Sequence, residues 1–323
     1  MKTTPLHVSV FMGVLALVAG CAGPATGPVK GVLVVYPDGM DGGELEKFLE
    51  RIQLQVVTVE PEDVFDFSTC SAGDFRGDLK TRRTILFLVD DASSLPGKLE
   101  PAGPVYAGRN LWARDQLVFG VVLPGFDAYD ELSSILEDAY EEHLKAYIYG
   151  GFVATRMSSR ERIDSLMALG FSIDIPKSYA LSEWDPETGF IQYYRKASDL
   201  CLLILSVRWI EDDVVLSPEE AVTWREAVVR NRFRDAKADS VDRSRVQVDT
   251  LYLRNLRGWR LLGMWRNPEH LNAGAFTSYV FRSDGRRYLL DLEVFHERRE
   301  KEPYIREGWI IMNTFVPGGE NGG

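Results

Sequence analysis

Val29-Lys30-Gly31-Val32-Leu33-Val34-Val35-Tyr36-Pro37-Asp38-Gly39-Met40-Asp41-Gly42-Gly43-Glu44 is the stretch on which the fold of this chain turns. Its first part, Val29 to Tyr36, is a β-branched run with no alternation, the pattern of a strand buried on both faces. Glycines and aspartates from Pro37 to Gly43 break the run. A helix is predicted from Glu44 to Ile52, with Leu45, Phe48, Leu49 and Ile52 on one face. Further strands are predicted at Val56 to Val59, Thr84 to Val89 and Leu117 to Leu123, with a polar loop from Phe65 to Thr81 between the first two. A long helix then follows Asp127, its apolar stripe made of Tyr129, Leu132, Leu136, Tyr140, Leu144 and Tyr147. Strands alternating with helices predict an α/β N-terminal domain over residues 29–155.

The remainder has a different rhythm. A capping box, Ser158-x-x-Glu161, opens a helix that Gly170 stops. Strands follow at Phe171 to Ile175, Gly189 to Tyr194 and Leu200 to Trp209. Ser217-Pro218-Glu219-Glu220 then starts a second helix. The charged stretch Arg230 to Arg245 reads as a loop. Strands return at Gln247 to Asn255, Trp259 to Trp265 and Phe276 to Arg282, and Asp284-Gly285 is a hairpin turn into Tyr288 to Phe295. A last helix runs from Pro303 to about Phe315. Successive strands with the helices set apart predict an α+β C-terminal domain with a mostly antiparallel sheet, residues 156–316, and a flexible tail, 317–323.

The N-terminus carries one positive charge at Lys2 and an apolar run from Val8 to Val18, too short to span a bilayer. Leu17-Val18-Ala19-Gly20-Cys21 ends it and resembles the lipobox of bacterial lipoproteins. The resemblance implies a signal peptide over residues 1–20, a diacylglycerol thioether on Cys21 and cleavage after Gly20. It also implies a lipid-anchored place in the cell envelope, on the periplasmic face of the outer membrane, since Ala22 is not aspartate. The Pro/Gly-rich residues 21–28 read as a tether.

Two further resemblances bear on the folded part. Phe171-Ser-Ile-Asp-Ile-Pro176 with Tyr179, and a closing Asn313-Thr314-Phe315, are similar to the start and end of the Mog1/PsbP-like sandwich. Trp112-Ala113-x-x-Gln116, Ile175-Pro176, Arg257-Gly258-Trp259 and Gly274-Ala275-Phe276 resemble the recurrent blocks of an uncharacterised family of cell-envelope lipoproteins, domain-of-unknown-function family 4837. Ala275 departs from that family, which favours proline there. The resemblance implies a fold and a compartment, and no mechanism.

Charge narrows the partners. The chain has 37 basic and 48 acidic residues, a net charge of −11, and loss of residues 1–20 removes one lysine and takes it to −12. Such a surface argues against nucleic acid as a partner. Cys70 and Cys201 remain after Cys21. An oxidising compartment permits a disulfide between them, but Cys201 sits in an apolar strand and reads better as a buried thiol.

Signatures of catalysis are missing. His143, His270 and His296 are not at zinc-ligand spacing, and no H-E-x-x-H, C-x-x-C, G-x-S-x-G, S-x-x-K or Walker A sequence occurs. No cofactor or metal is expected, and His143 reads as a polar-face residue. Asp38, Asp41 and Glu44, among glycines after the first strand, stand where open α/β sheets bind ligands and have the oxygen chemistry for a hard cation, although Asp41-x-x-Glu44 also reads as a helix cap. Arg257, Trp259, Trp265 and Arg266 combine side chains enriched at interface hot spots; the competing reading is core tryptophans alternating with solvated arginines. Trp112 and Gln116 read as a tryptophan with a glutamine satisfying nearby backbone.

The function expected is a non-catalytic, lipid-anchored binding or assembly module of the envelope, with the membrane and an envelope protein as partners. The alternatives are a small-ligand receptor using an inter-domain cleft, marked by a deep pocket with convergent polar groups, and a hydrolase without a recognisable signature.

Overall fold

A computed structural model describes residues 22–150, 160–212, 214–233, 238–296 and 300–318. The first half comprises β1 (Gly31–Tyr36), α1 (Gly42–Ile52), β2 (Gln55–Val57), β3 (Pro61–Asp63), β4 (Asp66–Ser71), β5 (Thr84–Val89), β6 (Glu100–Ala102), β7 (Val105–Arg109), β8 (Leu117–Val122) and α2 (Tyr129–Gly150). Six of these strands form a sheet in the order β4-β1-β5-β8-β7-β6. The β4-β1-β5-β8 part is parallel, and β7 and β6 add an antiparallel edge. Because β1 is buried on both faces, its residues divide two ways: Val32 and Val34 pack in the cluster that includes α1 and α2, while Leu33 and Val35 pack with Ile85, Phe87 and the half-buried Phe75 and Trp112.

The second half comprises α3 (Arg160–Met167), β9 (Phe171–Ser172), β10 (Ala180–Asp185), β11 (Phe190–Ser198), β12 (Cys201–Glu211), α4 (Pro218–Arg232), β13 (Ser240–Val241), β14 (Gln247–Leu253), β15 (Leu256–Asn267), β16 (Asn272–Ser283), β17 (Arg286–His296), α5 (Glu302–Met312) and β18 (Val316–Pro317). Its antiparallel sheet runs β10-β11-β12-β17-β16-β15-β13, with β14 also on β15. Alternation along β17 sends Leu290 and Leu292 into the cluster containing α5, and Leu289 into the one containing α4. Ser217 and Glu220 form the capping box that starts α4. Asp284 and Gly285 both take positive φ, 51° and 75°, as a tight hairpin turn demands. A Cβ on Gly258 would sit 2.0 Å from the Val280 carbonyl oxygen, so the Arg257-Gly258-Trp259 block needs glycine for close strand approach.

The structure corrects several expectations. The segment 65–81 contains β4, a polar edge strand whose alternation is blurred because only one neighbour pairs with it. The edge strand β10, half-exposed or exposed throughout, escapes a hydrophobic pattern for the same reason. The stretch 230–245 continues α4 to Arg232 and holds β13. Residues 24–27 are not a free tether: Ala25 is buried, its N–H donates to Arg114 O at 2.8 Å, and the Thr26 N–H donates to Thr81 O at 2.7 Å. Their small side chains let the backbone lie against the loops below the sheet. At the other end, Pro317 is buried and pairs with Phe171, so β18 belongs to the fold and not to a tail. His143 is buried, not on a polar face. Cys70 and Cys201 are both free thiols. Cys21 and Ser158 lie outside the described residues.

The start and the end of the second half meet. Phe171 stacks on Phe315 at 5.6 Å, and the Asp174 N–H donates to Thr314 Oγ1 at 2.8 Å. One hydrophobic cluster runs from Val32 through Leu144 to Phe315, crossing from the first half into the second. α2 and α5 pack against each other at that crossing.

Candidate binding cleft

Beside that seam opens a cleft of about 650 Å³. Helical spacing along α2 brings Tyr140, Leu144 and Tyr147 to one wall. Pro28, Val29 and Lys30, at the entry to β1, form a second. Arg195 and Ala197 of β11 meet the first turn of α5, Pro303 and Tyr304, on the far side, with Glu307 one turn further on.

The polar groups are held in pairs. Lys30, almost buried, reaches Asp66 at 3.1 Å and Glu300 at 2.9 Å. Burial alone would lower its pKa; the hydrogen bonds it donates to Glu300 and Asp66 outweigh that and raise it, so Lys30 is cationic. Arg195 pairs with Glu307, which also accepts the Tyr179 hydroxyl at 2.8 Å. Burial drives Glu307 above the usual carboxylate range against the pull of Arg195. Burial and the neighbouring Cys201 push the Tyr304 hydroxyl up to about 12, leaving it a hydrogen-bond donor at neutral pH.

The seam below is equally charged. Tyr140 donates to Glu302 at 2.9 Å, and Arg306 joins Glu302 at 2.7 Å, Glu137 at 2.8 Å and Glu141 at 2.9 Å. Glu62, from the β2–β3 hairpin, accepts the N–H groups of Lys301 at 2.6 Å and Glu302 at 2.8 Å at the start of α5. A carboxylate there satisfies donors that a helix leaves open and meets the positive end of its dipole.

Cys201 and His296 are cross-strand partners beside the cleft, a placement that invites a nucleophile–base reading. Their surroundings oppose it. Burial raises the Cys201 thiol, its hydrogen bond is with Tyr304, and His296 Nδ1 is taken by Glu300 O at 3.0 Å. A thiol kept protonated is a poor nucleophile. Paired charges among apolar walls suit recognition of a ligand with an apolar body and a few polar atoms.

The residues marked by sequence fall elsewhere. Asp41 caps α1 by accepting the Gly43 N–H, and Asp38 accepts the Gly73 N–H, each at 2.9 Å, while Glu44 stands exposed in the first turn of α1. No group of three or more His, Cys, Asp or Glu side chains able to hold a metal ion occurs among the described residues. Trp265 is buried under α4 against Phe295, and is not a surface anchor. Trp259 is half-buried with its indole N–H donated to Leu216 O at 2.7 Å, whereas Arg257 and Arg266 are exposed. Strand alternation turns both rings toward α4, so the interface grouping is corrected to core tryptophans and solvated arginines. Gln116 accepts the Trp112 N–H at 3.1 Å and donates to Lys80 O and Arg82 O at 2.7 Å each, tying the segment before β8 to the one before β5.

Sequence reasoning placed Tyr140 and Leu144 only as core stripe and passed over Lys30, Arg195, Tyr304 and Glu307. The signal they offered was charge interrupting apolar runs, as with Lys30 between Val29 and Gly31 and Arg306-Glu307 between Ile305 and Trp309.

Among the described residues no helix is long and apolar enough to cross a membrane. No family model and no curated protein matches the chain. Solved structures similar in part include a protein from Bacteroides thetaiotaomicron, at 7% identity and TM-score 0.28, covering 46% of this chain and 44% of that one. The chain thus spans under half the length of that protein. LpqN of Mycobacterium tuberculosis, described as involved in cell envelope biogenesis, is 13% identical with TM-score 0.27, over 46% of this chain and 83% of LpqN. Cyanobacterial PsbP (CyanoP) from Synechocystis sp. PCC 6803 is 9% identical with TM-score 0.33, over 52% of this chain and 95% of CyanoP.

Proposed function

We propose that this chain is a non-catalytic binding module of the bacterial cell envelope, anchored by lipid on Cys21, that holds a small amphiphilic molecule in the cleft between its halves. The Leu17 to Cys21 lipobox resemblance supports the anchor and the periplasmic placement at the outer membrane. The resemblance to envelope lipoprotein family 4837 and to the Mog1/PsbP-like sandwich belongs to the same reading. The observation that carries the binding function is the cleft itself, where Leu144, Tyr147, Ala197 and Pro303 supply apolar wall and Lys30, Tyr304 and Glu300 supply polar rim. An envelope protein remains the other proposed class of partner, but the rings that would anchor it, Trp259 and Trp265, face the core.

The test is native mass spectrometry of the protein purified from envelopes of cells expressing it with its own leader. The expected result is a small-molecule adduct on the wild type that Ala197→Trp, which fills the cleft, loses while keeping its circular dichroism. An adduct that survives in Ala197→Trp, or a wild type that never carries one, overturns the proposal.

A further inference from the structure

On the far side of α1 from α2 lies a second depression, about 900 Å³, between α1 and the edge strand β4. Leu45, Leu49 and Phe67 form its floor, and Glu46, Glu50 and Asp63 stand on its rim. No lysine or arginine lines it.

The backbone beside it is unpaired in a regular way. The Asp66 N–H donates to Lys30 O, which fixes the parity of β4: even-numbered residues bond β1, and the N–H and C=O groups of Phe67, Thr69 and Ser71 point outward. No strand pairs with that side among the described residues. One residue earlier in the same parity, the Gln53 side chain accepts the Phe65 N–H at 3.1 Å and donates to Phe65 O at 3.0 Å. Its amide does for Phe65 what a neighbouring strand does, and leaves the next outward groups open.

We propose that the β4 edge is a docking site for an extended basic peptide segment of another protein, which adds as a strand beside β4. Side chains at every second position face α1, where apolar ones lie over Leu49 and Phe67 and lysines or arginines, two positions on, meet Glu46, Glu50 and Asp63 at the rim. Strand addition supplies main-chain hydrogen bonds, and pockets for alternate side chains give specificity. Charge complementarity selects a basic partner over a second copy of this acidic chain.

The probe is a synthetic lysine–valine peptide, with valine and lysine taking turns on the face toward α1 and threonine on the other face, matched in length to β4 and titrated against the mature chain. Its controls are a glutamate–valine peptide and the lysine–valine peptide N-methylated along one edge. Binding of the lysine–valine peptide alone is expected, with slowed hydrogen exchange at Phe67, Thr69 and Ser71. Glu46→Lys/Glu50→Lys, two exposed helix positions, should weaken it by about tenfold or more. Thr69→Pro, which removes an outward N–H at an edge position that tolerates proline, should abolish it. Equal binding by the N-methylated peptide, or protection outside β4, reduces the interaction to general charge attraction and overturns the proposal. Failure of the lysine–valine peptide to bind overturns it too, as does self-association in sedimentation that Thr69→Pro removes, which assigns the edge to a second copy.

Discussion

Tyr140 Oη donates to Glu302 Oε2 at 2.9 Å, linking α2 to α5 across 162 residues of sequence. Both groups are buried, and Glu302 is above its usual carboxylate range through burial, held in check by Arg306. Loss of that donor leaves a buried carboxylate short of a partner. Tyr140→Phe should therefore destabilise the chain by about 1–3 kcal/mol in urea unfolding. Arg306→Ala leaves the buried Glu302 without its counter-charge and should cost about 3–5 kcal/mol. A Tyr140→Phe variant as stable as wild type would show that the seam rests on its apolar contacts alone.

Cys21 is a matter for fractionation. With Cys21→Ser no thioether can form, so the protein should leave the membrane fraction or stall as an uncleaved precursor. Two or more acyl chains make a stable anchor, so partial release is not the expected outcome. Mass spectrometry of the wild type showing an unmodified mature N-terminus would remove the anchor.

What sequence could show here was local. β1, α1, the Asp284-Gly285 hairpin and the α4 capping box are each specified within about a dozen residues, by burial pattern, cap or turn chemistry. β4 and β10 were illegible or misread because an edge strand keeps one side toward solvent and loses the pattern that marks a buried one. The β6–β7 hairpin, rich in proline, glycine and charge, hides for a similar reason. The cleft was least legible. Lys30, Arg195, Tyr304 and Glu307 come from three separate parts of the chain, the entry to β1, β11 and α5, and their pairings exist only once the two sheets have closed on α2 and α5.

Glu293 makes stability depend on pH. Under α4, one guanidinium, Arg225, serves both Asp291 at 3.0 Å and Glu293. Burial pushes Glu293 up to about 8 against the pull of Arg225, with Asp291 and Asp239 adding repulsion. The folded chain thus keeps a proton that the unfolded chain releases near its ordinary pKa of 4.5. Stability from this group is complete below that value and is lost as pH rises through about 8. The slope approaches about 1.4 kcal/mol per pH unit between the two values. Glu293→Gln, which keeps an oxygen for Arg225, should flatten it; an unchanged slope would assign the pH dependence to other groups.

Trp265 and Arg257 separate core from surface on one strand. Trp265 is 6% exposed, packs in the cluster beneath α4 and lies 6.4 Å from the Phe295 ring. Truncation there empties a large buried volume that the flanking strands β13 and β16 cannot collapse to fill, because each is held in register by its ladder with β15. Trp265→Ala should cost about 3–5 kcal/mol, a large share of a domain's stability. Trp259→Ala should cost less, since the ring is half-exposed, but it leaves Leu216 O without its donor. Arg257 is exposed at the start of β15, so Arg257→Glu should move the unfolding midpoint by no more than about 0.5 kcal/mol equivalent. Denaturant melts of the three variants rank the positions. The order Trp265, Trp259, Arg257 is expected, and a Trp265→Ala variant that melts like Arg257→Glu would return this strand to the surface and restore it as an interaction face.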